Sequence, residues 1–185
     1  AVDLLEELNT PIYKIASFEI TDIPLITYVA SKGKPMIIST GIADIDDIKL
    51  AIETCKSVGN NDITILKCTS AYPAEPEDAN LLTIPNLKER FGVKVGLSDH
   101  TLGIGCPVVA TALGATVIEK HFILDKSIGG ADAEFSMDKK EFSDMIKEIR
   151  ETEKLLGKVD YSMTKKRKES RRFSRSLYIS KDIKK

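Results

Sequence analysis

The sequence predicts an α/β fold built on a parallel sheet, and three observations carry that prediction. Short runs rich in β-branched and aromatic residues recur at 12–17, 36–40, 63–69, 93–98 and 116–121. Each is followed by apolar residues at helical rather than alternating spacing. The strand ends, Ser17, Thr40, Ser70, Ser98 and His121, fall 23 to 30 residues apart, which suits βα repeats of about 30 residues. Five such units in series mean parallel strands joined by right-handed crossovers.

In order along the chain, residues 2–8 read as the end of a helix that began upstream, and 12–17 as the first strand. A helix over 22–30 and a strand over 36–40 follow. The next helix opens at Asp44, where Asp44 and Asp47 suit a helix N-terminus, and Ile48, Ala51, Ile52 and Cys55 follow the i, i+3, i+4, i+7 rule. After the strand at 63–69 comes a helix over 86–91, entered through Pro85. The strand at 93–98 precedes a helix over 107–113, and 116–121 is the last strand. A loop over 127–136 leads to a helix near Asp138, where Asp138-Lys-Lys-Glu141 resembles a capping box. Phe142, Met145, Ile146 and Ile149 are its expected buried stripe, and Gly157 its end.

Two architectures fit this order, a doubly wound open sheet and a (β/α)8 TIM barrel. No GxGxxG or Walker sequence follows any strand, which weakens a nucleotide-binding open sheet. A complete barrel needs about 200 residues or more, so the barrel reading takes residues 1–160 as the C-terminal five βα units, strands 4–8, with three strands upstream. Five of eight strands leave two open edges, and the isolated chain is expected to be inactive.

Composition narrows the classes. The chain is 42% hydrophobic and 30% charged, enough for one domain with a core. It has neither an apolar run of membrane-spanning length nor a signal peptide, so a soluble cytoplasmic protein without membrane contact is expected. Cys55, Cys68 and Cys106 lie in apolar stretches without metal-ligand spacing, which reads as small buried hydrophobes. Residues 165–185 hold ten Lys/Arg against two Asp/Glu. Such a tail can attract nucleic acid, but it lacks interleaved aromatics and turns strand-like at 176–180.

Catalytic groups of a parallel barrel come from the C-terminal ends of its strands. Those places hold Ser17 and Glu19, Ser39 and Thr40, Thr69 and Ser70, Ser98 and His100, and Glu119 and His121. His100 and His121 close consecutive strands, which lie about 4.8 Å apart, so two imidazoles can reach one cation; ordinary acid–base histidines are the competing reading. The hydroxyls with Lys14 suit a phosphate, although strand parity turns Lys14 outward unless the backbone bends near Ser17. Gly41, just past a strand, would allow close approach to a ligand. Asp132, after two glycines, is either functional or a turn residue. Lys67 and Lys120 are the candidates for a Schiff-base lysine in an aldolase-type alternative; parity puts Lys120 outward if His121 points inward.

Lys14-Ile-Ala-Ser17, Ser39-Thr-Gly41, Cys68-Thr-Ser with Tyr72-Pro73, Gly96-Leu-Ser-Asp-His-Thr101 and Glu119-Lys-His-Phe122 occur in one order. Together they closely resemble the sialic acid synthase family, from about Thr10 to the end of the chain. The loop Ser127-Ile-Gly-Gly-Ala-Asp132 with Phe135-Ser136 is most similar to the pseudaminic acid synthase branch.

The resemblance implies condensation of phosphoenolpyruvate with an N-acetylated amino sugar to a nine-carbon 2-keto sugar acid, with release of phosphate. It implies His100 and His121 as protein ligands of a divalent metal, Mn2+ or Mg2+, with Glu119 beside them in the catalytic group. It implies Lys14, Ser17, Ser39, Ser70 and Ser98 as phosphoenolpyruvate-binding residues, and Glu19, Tyr72 and Asp132 as sugar-contacting ones. A homodimer is implied for the full-length enzyme. Residues 161–185 then read as a basic linker and the truncated start of a small antifreeze-like domain, which displaces nucleic acid as a partner.

Overall fold

The structure, a computed structural model, describes residues 1–182 and 184. Five strands, β1 (Tyr13–Ile15), β2 (Met36–Ser39), β3 (Ile63–Cys68), β4 (Lys94–Asp99) and β5 (Val117–Lys120), alternate with helices. These are α1 (Val2–Glu7), α2 (Ile23–Ala30), α3 (Ile45–Ser57), α4 (Thr83–Phe91), α5 (Gly105–Ala112) and α6 (Lys139–Leu156); a short α7 (Lys165–Ser170) follows. All pairings are parallel and the spatial order is β1-β2-β3-β4-β5. A doubly wound sheet reverses its strand order at a switch point; this one never does. The sheet is a half-barrel, the partial (β/α)8 architecture.

Local chemistry explains the elements. The Asp44 carboxylate accepts from the Asp46 and Asp47 amides, and the Asp47 carboxylate accepts from the Asp44 amide, so α3 starts where its capping residues dictate. Asp138 and Glu141 make the same reciprocal box at α6, at 2.8 and 2.9 Å. α4 and α5 begin before their prolines, so Pro85 and Pro107 lie inside the first turn, where a missing N–H breaks no intrahelical bond. Of the expected α6 stripe only Met145 is buried, and Ile146 is 44% exposed. α6 packs on α5 beside the sheet edge β5. Residues 176–180 form no strand, and Leu177, Tyr178 and Ile179 stand in solvent.

The two faces of the sheet differ in character. Tyr13, Ile15, Met36, Ile38, Ile63, Ile65, Val95 and Leu97 point toward the helices and join Ile26, Val29, Ile48, Ile52, Cys55, Ile84 and Leu87 in one core. The alternate residues, paired in register as Lys14↔Ile37↔Thr64 and Leu66↔Gly96 with Cys68↔Ser98↔Glu119, line the concave inner face. Gly96 is required there: a Cβ would strike the Val117 carbonyl and come within 2.6 Å of the Leu66 side chain. Among the described residues, no helix is long and apolar enough to cross a membrane.

Candidate active site

β4 and β5 pair Asp99 with Lys120, so the residues that follow, His100 and His121, leave the sheet side by side. Their ring centroids are 5.3 Å apart. His100 Nδ1 lies 2.8 Å from the Thr69 carbonyl oxygen. A carbonyl only accepts, so Nδ1 carries a proton, and in the neutral ring Nε2 is the nitrogen that can accept or ligate. His121 Nδ1 faces Asp132 Oδ2 at 3.5 Å, too long for a good hydrogen bond. Tyr72 packs against the His100 ring at 4.3 Å, and Phe135 meets the His121 ring edge-on at 5.0 Å. The imidazoles thus stand together, walled by aromatics, with the His100 Nδ1 hydrogen-bonded and the His121 Nδ1 turned toward Asp132.

Beside them lies a cradle of small polar groups. Ser17 Oγ accepts from the Gly41 amide at 3.0 Å and donates to Cys68 Sγ at 3.4 Å. Ser39 Oγ and Ser70 Oγ are buried without any hydrogen-bond partner. A Cβ on Gly41 would collide with Ser70 Oγ and sit 2.8 Å from Ser17 Oγ and 3.0 Å from Cys68 Sγ, so the cradle exists because residue 41 has no side chain. A buried hydroxyl left unpaired costs about 1–3 kcal/mol, which an oxygen-rich ligand would relieve. Ser98 donates to Glu119 Oε1 at 2.7 Å, and Lys14 pairs with the same carboxylate.

Eight of the expected site residues come together here: Lys14, Ser17, Ser39, Ser70, Ser98, His100, Glu119 and His121, with Tyr72 and Asp132 at the rim. For Lys14 the exception to the parity argument holds. β1 ends at Ile15 and a 3-10 turn carries Ser17–Glu19, so the backbone bends before Ser17 and both residues serve one cavity. Glu19 is exposed, and its carboxylate accepts from the Ala16 amide at 2.8 Å; no contact joins it to the histidines. The aldolase-type lysines are misplaced. Lys67 shares the register of the core residue Leu97 and donates to the Cys68 carbonyl and Thr69 Oγ1. Lys120 is buried against Asp99 on the helix-facing side.

Two residues of the site went unrecognised in the sequence. Phe135 entered only as part of the loop's resemblance and was given no place in the site. Cys68, read as filler, occupies the cavity floor 4.0 Å from His100 Nδ1; its alternation with Leu66 along β3 was the available clue. Burial pushes the Cys68 thiol up, but hydrogen bonding with His100, Ser17 and Ser98 outweighs it and brings the thiol down to about 7. The His100 imidazole is raised despite its burial, by Cys68 and the Thr69 carbonyl. Cys55, buried in the core, is pushed up to about 11.

The loop after β5 returns to its own base. Phe122 bridges Met137, the Ile123 amide donates to the Met137 carbonyl, and the Met137 amide donates to the His121 carbonyl, both at 2.9 Å. Asp132 and Phe135 hang from that closed base over the histidines.

Residues 1–161 match the NeuB family. The chain is 53% identical to the pseudaminic acid synthase of Helicobacter pylori, over 100% of this chain and 55% of that protein. It is 44% identical to the N,N'-diacetyllegionaminic acid synthase of Legionella pneumophila, over 85% of this chain and 45% of that protein. Among solved structures, the N-acetylneuraminic acid (sialic acid) synthetase of Leptospira borgpetersenii, in complex with citrate, superposes with a TM-score of 0.86 at 34% identity, over 93% of this chain and 60% of that one. The chain spans about half the length of the curated relatives it matches.

Proposed function

Because the chain belongs to the NeuB family, we propose that it carries the strand-4-to-8 half of a synthase that condenses phosphoenolpyruvate with an N-acetylated amino sugar. The product is a nine-carbon 2-keto sugar acid of the pseudaminic or sialic type, and phosphate is released. Relatives named pseudaminic and legionaminic acid synthases support the reaction class. One arrangement carries the reading: two imidazoles with ring centroids 5.3 Å apart stand at adjacent strand ends beside two buried, unpartnered hydroxyls.

The residues divide the work. Lys14 supplies the cation, and Ser17, Ser39, Ser70 and Ser98 the hydroxyl donors, for the phosphate and carboxylate of phosphoenolpyruvate. Among the described residues no three His, Cys, Asp or Glu form a metal cluster, so the protein's offer to a divalent Mn2+ or Mg2+ is the pair His100 and His121. Bound there, the metal supplies Lewis acidity toward the sugar's aldehyde oxygen. Tyr72 and Asp132 flank the histidines and are the groups to contact the sugar, with Glu19 further out on the rim. The enol carbon attacks the aldehyde carbon, water adds at the adjacent carbon, and the C–O bond to phosphate breaks. Glu119, an acceptor held between Ser98 and Lys14, is the group placed to take the proton from that water.

The test is phosphate release from phosphoenolpyruvate by the full-length protein, with a 2,4-diacetamido-trideoxy sugar or N-acetylmannosamine as co-substrate. Turnover that requires a divalent metal and disappears in His100→Ala is expected. Undiminished turnover in that variant would remove the reading.

A further inference from the structure

Behind the histidine pair, on the side facing the helices, lies an ion pair that touches no part of the cavity. Lys120 Nζ and Asp99 Oδ2 are 2.5 Å apart, and each side chain is only 2% exposed. Lys120 also donates to the Thr101 carbonyl at 2.5 Å. The other oxygen of Asp99 accepts from the Thr101 amide at 2.9 Å and from Thr101 Oγ1 at 2.8 Å. Residues 99 and 101 are therefore both tied to Lys120, and the residue between them is His100. Lys120 itself immediately precedes His121. The remaining backbone bonds complete the frame: the Ala74 amide donates to the His100 carbonyl and the Met137 amide to the His121 carbonyl, each at 2.9 Å.

Stability is a poor reason for such a pair. Two charges removed from water seldom gain more from each other than apolar side chains of the same size would. Geometry is a better one. Metal–nitrogen bonds tolerate deviations of only about 0.2 Å, and the two ligands sit on different strands whose ends would otherwise fray independently. A charged clamp that spans both strands and brackets one histidine fixes their relative height.

We propose that Asp99 and Lys120 are positioning residues that lock the ends of β4 and β5 so that His100 and His121 converge on one metal ion. This inference rests on the metal reading above, and it assigns the pair no contact with substrate or metal.

The experiment measures Mn2+ affinity of the full-length protein by isothermal titration calorimetry, together with thermal stability, in D99N, D99L/K120M and His100→Ala. D99N is expected to weaken Mn2+ binding by about 10–100-fold, the range for residues that orient metal ligands. D99N also strands a buried lysine and loses stability, so the double variant is the decisive one. D99L/K120M removes both charges and is expected to recover more of the melting temperature than D99N does. It falls short of wild type because the Thr101 groups lose their partners, and it still binds Mn2+ at least tenfold more weakly. A purely structural role would restore stability and affinity together. Wild-type affinity in D99L/K120M, alongside an His100→Ala protein that has lost the metal, overturns the clamp. Wild-type affinity in His100→Ala overturns the metal reading itself.

Discussion

Lys14 and Glu119 belong to the two edge strands, β1 and β5, yet Lys14 Nζ lies 3.4 Å from Glu119 Oε2. Three strands separate them in the sheet. A flat sheet at about 4.8 Å per strand would hold them near 19 Å apart, so the contact measures how strongly the half-barrel curls. It also brings the cation expected to bind phosphoenolpyruvate to the carboxylate that anchors Ser98.

That pair is partly exposed, at 32% and 40%, and such ion pairs contribute only about 0–1 kcal/mol to stability. Lys14→Met is therefore expected to leave the melting temperature within a few degrees of wild type. Its KM for phosphoenolpyruvate should rise at least tenfold. A KM within twofold of wild type would show that Lys14 serves the fold and not the ligand.

Ser39 makes the opposite trade. Its hydroxyl is buried without a partner, so Ser39→Ala removes an unsatisfied group and should stabilise the ligand-free protein by about 1 kcal/mol. The same change should weaken phosphoenolpyruvate binding severalfold. Denaturant unfolding and calorimetric titration read the two effects separately; a loss of stability would mean that the hydroxyl has a partner in solution.

Gly41→Ala places a methyl group against Ser70 Oγ, Ser17 Oγ and Cys68 Sγ. Ser17 is buried, and Cys68 is buried at the end of β3, so the methyl group closes the cradle. Phosphoenolpyruvate affinity is expected to fall at least tenfold while Mn2+ affinity changes little, because the histidines lie on the neighbouring strands. Equal losses of both would show that the two subsites are one packed unit.

The docking of α1 should depend on acid. Glu6 is held below its ordinary value of 4.5 by hydrogen bonding with Lys34 first and Tyr13 second. Tyr13 donates to Glu6 Oε1 at 2.5 Å, and Lys34 pairs with the same oxygen at 2.7 Å. A depressed carboxylate contributes stability above its unfolded value and loses it as pH falls through the folded one. Protection of the α1 amides from hydrogen exchange is therefore expected to hold down to about pH 4.5 and to decline below it, and Glu6→Gln should remove the decline. Burial and the Glu6 carboxylate push the Tyr13 phenol up to about 12, so ionisation of this tyrosine leaves the contact intact through the mildly alkaline range.

Much of the fold was legible because its signals are local. Asp44 and Asp138 cap their helices through residues three positions away, and the apolar period of α3 needs no knowledge of its neighbours. The histidine pair was legible as well, since strand order and strand ends place His100 next to His121. What failed depended on where backbones stop. The sequence named a bend near Ser17 as the condition for an inward Lys14 but could not tell that the strand stops at Ile15. Cys68 looked like core because a buried thiol and a cavity-floor thiol share the same apolar flanks, and only the inward register with Ser98 separates them. Residues 176–180 have strand composition but no pairing partner in the described fold, and composition alone closes no ladder.

The loop after β5 leaves and re-enters at one point, with Met137 tied back to His121 and Ile123. The loop between these points is anchored at its base to the end of β5, where His121 stands. Asp132 and Phe135 thus reach the histidines from a loop whose two ends are held at one place, so their position is set at the base of the loop and not along the sheet.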